Sequence, residues 1–104
     1  MPPETLSIHR LLDRLKQRSH YSAGQRVVKD TDVAEAFSVS VANLRRAVKR
    51  ERFRFPLDVI WEVSPRRYIF TEGGVIVVAT ILKTPQAVQA HIGMIRELCG
   101  FNKN

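Results

Sequence analysis

Residues 32–50 read DVAEAFSVSVANLRRAVKR. Val33, Ala34 and Phe37 form the apolar side of a short helix, and Thr31 or Asp32 can cap it. Glu35, three residues after Asp32, matches a capping box. Ser38, Val39 and Ser40 interrupt the pattern. Val41, Leu44 and Val48 then recur at i, i+3 and i+7, predicting a second helix over 41–50 that ends near Arg50 or Arg52. Two helices joined by so tight a turn make a helix-turn-helix. Such a unit needs a small residue where the helices cross, a tight turn, and apolar anchors on the second helix. Ala34 supplies the first, Val39 plugs the turn, and Leu44, Ala47 and Val48 are the anchors. Ser38 stands where Gly is common.

At 100° per residue, Ala42, Asn43, Arg46, Lys49 and Arg50 fall opposite the apolar stripe of the second helix. Asn pairs bidentately with adenine, Arg does the same with guanine, and Ala can touch a thymine methyl. Asn43, Arg46 and Arg50 are therefore the expected base-edge contacts, with Ala42 beside them. Arg45, Lys49, Arg52 and Arg54 flank or follow the helix and are expected to meet phosphates. Ser40 caps the helix or bonds a phosphate at its amino-terminal end.

Outward from this unit, Ile8, Leu11, Leu12 and Leu15 mark one stripe of an amphipathic helix over residues 4–18. Polar residues 19–25 read as a linker, and residues 26–29 as a short strand. Pro56 stops helical structure. Residues 59–63 and 68–70 are β-branched and aromatic, and the intervening Ser64-Pro65-Arg66-Arg67 predicts a hairpin with Arg66 and Arg67 at its tip, placed as a wing for a further backbone or minor-groove contact. Trp61, between Ile60 and Glu62, reads as core rather than as a base-stacking residue. Thr71 caps a helix running to about Lys83, in which Gly73 and Gly74 weaken the helix or permit close packing. Thr84-Pro85 starts a last helix, whose expected buried stripe is Val88, Ile92, Ile95 and Cys99, with Gly100 as its stop. The fold class expected is α+β. It comprises a helix-turn-helix core with a small, winged-helix-like β-hairpin, packed by two carboxy-terminal helices and preceded by an amino-terminal amphipathic helix. Residues 1–25 are the helix and linker, and residues 26–104 the binding domain.

The 104 residues carry 17 Lys and Arg against 10 Asp and Glu, a net charge of +7. Arg45, Arg46, Lys49, Arg50, Arg52 and Arg54 lie within ten positions, opposed there only by Glu51. A polyanionic partner is implied, with nucleic acid first. Cys99 is alone, which excludes an internal disulfide and a two-sulfur zinc site. No uncharged run suits a signal peptide or the roughly 20 apolar residues of a membrane span, so the expectation is a soluble cytoplasmic protein with no membrane contact. His9, His20 and His91 are scattered, and Gly73-Gly74 lacks the spacing of a phosphate loop. No metal, cofactor, small-molecule substrate or enzymatic activity is expected.

Three stretches carry a resemblance: RVVKDTDVAEAFSVSVANLRRAVKR, RFRFPLDVIWEV and YIFTEGGVIVVATILKTPQAVQAHIGMIREL. Their landmarks are Ala47-Val48-Lys49-Arg50, Arg54-Phe55-Pro56, Phe70-Thr71-Glu72 followed by Gly74, and the last helix at Ala87 and residues 92–96. Over residues 26–98 the chain resembles the KilA-N-like "open reading frame six, N-terminal" domain of bacterial and phage proteins. Glu51 stands where that family usually has Asn, Gly73 where it has Gln, and residues 65–67 where it carries a longer insertion. The resemblance implies a DNA-binding module of the kind found at the front of phage antirepressors. Those proteins normally continue into a second domain, so this chain reads as a stand-alone binder or a truncated copy.

The function expected is sequence-specific binding of double-stranded DNA by a transcriptional regulator or prophage-type antirepressor domain, with 41–50 as recognition helix. A homodimer would double its contacts over two half-sites. The alternatives are a protein-interaction module for an acidic partner, or an RNA-binding domain.

Overall fold

A computed structural model describes residues 8–22 and 24–98. Helices α2 (Asp30–Ala36) and α3 (Val41–Arg50) lie at its centre, where Val33, Ala34 and Phe37 meet Leu44, Ala47 and Val48 in the core. The turn between them is closed by backbone bonds from Val39 N to Ala34 O (3.0 Å) and from Ser38 N to Glu35 O (3.1 Å). Ser38 adopts φ 56°, in the left-handed region that favours glycine. The sequence expectation for these two helices and their break is met. The capping of α2 is not: its N-cap is Lys29, which makes no side-chain cap bond. Arg18 takes the capping-box acids instead, its Nη1 donating to Glu35 (2.6 Å) and Asp32 (3.2 Å). An arginine from outside the helix outcompetes the weak local bonds of a cap.

The sheet is antiparallel throughout, in the order β1-β2-β4-β3, with β1 His20–Ser22, β2 Gln25–Lys29, β3 Ile60–Ser64 and β4 Arg67–Phe70. Its register aligns Val28, Phe70 and Ile60 in one row and Lys29, Ile69 and Trp61 in the next. Alternation along each strand sends these rows to opposite faces, so the first row enters the core with Phe55 and Tyr68. Trp61 is half-buried on the other face. Strand β1 corrects the expectation of a linker at residues 19–25. Its three residues are exposed and polar and show no apolar alternation, yet β2 offers them a ladder, and Arg26 lies 5.0 Å over the Tyr21 ring.

Two helices, α4 (Glu72–Ile81) and α5 (Pro85–Leu98), complete the core with α1 (Ile8–Lys16). Leu11 and Leu15 of α1 join the same cluster; residues 4–7 of the expected helix lie outside the described residues. Thr71 caps α4, its hydroxyl accepting from Gly74 N at 3.4 Å. A Cβ on Gly74 would lie 2.3 Å from the Val59 carbonyl oxygen, so glycine here permits contact between α4 and the approach to β3. On α5 the expected stripe is reversed. Ala87 and Ala90 are buried, whereas Val88, Ile92 and Ile95 are 42%, 37% and 47% exposed. Close packing against α4 and α1 selects the small side chains and turns the bulky ones outward. Cys99 and Gly100 lie outside the described residues. No single described helix is long and apolar enough to cross a membrane.

Gly74→Ala is expected to destabilise the fold by about 2–3 kcal/mol, since the clash is with backbone that cannot rotate away. Urea denaturation reads this directly, and an unchanged midpoint would contradict the close approach of α4 to Val59.

Candidate functional site

With Leu44, Ala47 and Val48 committed to the core, α3 presents Ala42, Asn43, Arg46, Lys49 and Arg50 to solvent. Ser40 is the N-cap, its Oγ accepting from Asn43 N at 3.1 Å. Arg46 Nη1 donates to Asn43 Oδ1 at 2.5 Å, leaving both amide hydrogens of Asn43 and a second lone pair on Oδ1 for an outside partner. The helix thus displays an ordered donor surface with no acidic side chain in it.

Arg45 points to the flank. Its Nε and Nη2 donate to the two oxygens of Asp30 at 2.8 and 3.3 Å, and Tyr68 N donates to Asp30 Oδ2 at 3.0 Å. Asp30 is 3% exposed and is the buried charged residue among those described. Hydrogen bonding to this carboxylate raises the pKa of the Arg45 guanidinium further above its already high ordinary value. Burial pushes the Tyr68 phenol up, with Glu62 adding to the effect, so it stays protonated.

Beyond α3, Glu51 accepts from Arg54 Nε at 2.8 Å and more loosely from Arg50 Nε at 3.5 Å. Arg54, then Arg50, hold the Glu51 carboxyl below its usual range, against a smaller opposing effect of desolvation. The stability this contributes is complete above the ordinary carboxylate pKa and is lost as pH falls through the lowered value. A single-turn 3₁₀ helix, Arg52–Arg54, follows, and in it Phe53 is 79% exposed with the Arg54 guanidinium 5.5 Å over its ring.

The β3–β4 hairpin returns to α3. Arg66, at φ 68° in the turn, donates its N–H to Glu62 Oε2 at 3.0 Å. An open groove of about 340 Å³ lies between hairpin and helix, lined by Ala42, Arg45, Arg46, Lys49, Arg66 and Tyr68. Arg67 does not line it. It borders a separate cleft of about 510 Å³, together with His20, Lys29 and Val63. Arg45 and Tyr68 line both.

The family model of the ORF6N domain matches residues 17–72, more than half of the chain. The chain belongs to the ORF6N domain family. This is the phage-type KilA-N-like domain that the sequence resembles. The match runs from the end of α1 to the first residue of α4 and takes in both grooves. No curated protein and no solved structure matches the chain.

Within this ORF6N domain, the residues singled out from sequence separate by environment. Ala42, Arg45, Arg46, Lys49 and Arg66 meet at one groove. Asn43 and Arg50 share the exposed side of α3, while Arg52 and Arg54 continue it into the 3₁₀ turn. Arg45, expected as a phosphate contact, has its guanidinium engaged by Asp30, and Ser40 is occupied in capping. Arg67 parts from Arg66. Sequence reasoning gave no binding role to Lys29 or His20, which reach the second cleft through strand pairing, Lys29 opposite Ile69 of β4 and His20 opposite Val27 of β2. It also passed over Phe53, although an aromatic between two arginines is a readable signal.

Asp30→Ala is expected to cost about 2–3 kcal/mol. That lies below the loss for a fully buried pair, because Arg45 keeps contact with solvent, while Tyr68 N loses its acceptor. A thermal or urea melt checks it, and a change under about 0.5 kcal/mol would show the pair to be structurally idle.

Proposed function

We propose that this ORF6N domain binds double-stranded DNA and serves as a phage-type regulatory module, with no catalytic role of its own. The reading is a helix-turn-helix one: α2 and α3 form the unit, α3 is the recognition helix, and the β3–β4 hairpin is its wing. The observation that carries it is the solvent face of α3, where Asn43, Arg46, Lys49 and Arg50 stand clear of the core beside Arg66. These are side chains whose donors match base edges and phosphates, on an element whose width fits the major groove. Asn43, Arg46 and Arg50 take the base-edge roles. Lys49, Arg52, Arg54 and Arg66 take phosphates. A domain of the front of an antirepressor is one setting for such a module.

The test is fluorescence anisotropy of a labelled mixed-sequence duplex at several salt concentrations. Four to six phosphate contacts give a slope of log affinity against log salt of roughly −4 to −5. Arg46→Ala is expected to cost about 1–3 kcal/mol and to relax preference at one base pair, whereas Arg52→Ala weakens all sequences alike. Absence of duplex binding at low salt would remove the reading. Selection of an unchanged preferred site by Arg46→Ala would remove the role given to that residue.

Dimerisation through α5 belongs to the same reading. Residues 84–95 contain no Lys, Arg, Asp or Glu, so two copies of a chain of charge +7 approach there without like-charge contact. Val88, Ile92 and Ile95 recur at i, i+4 and i+7, which lets two antiparallel copies meet about Ile92. Sedimentation is expected to give a dimer for the parent and a monomer for Ile92→Glu; a monomeric parent at high concentration would rule the contact out.

A further inference from the structure

The second cleft belongs to no role described so far. It lies across the Arg45–Tyr68 ridge from the α3 groove and holds Lys29, Arg67 and His20, all exposed. Its acidic lining residue is Asp30, which is buried and matched by Arg45. The accessible charge in the cleft is therefore positive. Its floor contains Ile69 and Tyr68, and Val63 is 57% exposed at its side.

We infer that this cleft is a second backbone-binding surface, in which Lys29 and Arg67 contact phosphates of the same duplex whose major groove α3 enters. The inference rests on the reading of α3 above and extends it from the helix to the sheet. Two observations select this occupant. The first is charge: exposed cations at the rim suit phosphate oxygens, and the apolar floor suits the faces of deoxyribose. The second is continuity, because Arg45 and Tyr68 line both grooves and one backbone crossing that ridge meets Arg46, Lys49 and Arg66 on one side and Lys29 and Arg67 on the other. The divergence of Arg66 and Arg67 follows from it. A turn residue and the first residue of β4 serve two grooves, where a pair of arginines at one tip would serve one.

The experiment compares two double variants of the full chain on a labelled mixed-sequence duplex of about 25 bp, long enough to extend beyond a single half-site. Lys29→Ala with Arg67→Ala removes two cleft cations, while Arg14→Ala with Lys83→Ala removes two exposed cations outside both grooves and outside the α5 contact. Far-UV circular dichroism and melting confirm that each is folded, and Lys29→Gln alone serves if the first pair is not. The cleft variant is expected to flatten the salt slope by about 2, or about 1 for Lys29→Gln, and the control to leave it unchanged. Equal flattening by both pairs would reduce the effect to net charge and overturn the inference. An unchanged slope for the cleft variant, with the parent binding normally, would overturn it while leaving the role of α3 intact. Failure of the parent to bind duplex at all would overturn the reading of α3 itself. Binding of polyglutamate that requires Lys29, with duplex binding that does not, would assign the cleft to an acidic protein segment.

Discussion

The carboxylate of Asp30 is the point on which three elements depend. It begins α2, receives two hydrogen bonds from Arg45 of α3 and one from the backbone of Tyr68 in β4. A buried carboxylate is costly unless paired and hydrogen-bonded, so the structure keeps α3 and β4 where they can supply those donors. The distance between helix and hairpin follows, and with it the groove bounded by Arg46, Lys49 and Arg66. Apolar packing brings these elements together without specifying their angle; directional bonds to one carboxylate do.

The basic residues consequently divide by duty. Arg18 ties the end of α1 to Asp32 and Glu35 of α2, and Arg45 neutralises Asp30. Arg50 and Arg54 share Glu51, which tethers them loosely at the end of the helix. Arg46 leans on Asn43, its neighbour on the same face. What remains directed outward forms two positive surfaces on either side of one ridge. Exposed ion pairs such as those of Glu51 contribute little to folding, and their effect is chiefly to orient side chains that an anionic partner can recapture.

Legibility in the sequence followed the strength of local signals. The α2–α3 pair, the β3–β4 hairpin and the Thr71 cap were readable because apolar spacing, turn residues and a capping hydroxyl act within a few positions of one another. Strand β1 was not readable, since an exposed three-residue edge strand owes its existence to the partner strand. The capping box at Asp32 and Glu35 was a sound local pattern overridden by Arg18, fourteen and seventeen residues distant. On α5 both stripes have helical spacing, and only the closeness of α4 and α1 decides that Ala87 and Ala90 face inward.

By itself, then, the amino-acid sequence determined the class of the fold, the turn at Ser38, the polarity of α3 and the concentration of positive charge around it, because these rest on interactions between residues near in the chain. The tertiary structure alone decided that Arg45 is a structural cation, that Arg66 and Arg67 part company, and that His20 and Lys29 join Arg67 at a second cleft. Those outcomes depend on strand pairing and on a buried carboxylate whose donors lie 15 and 38 residues away, and no local pattern encodes such distances.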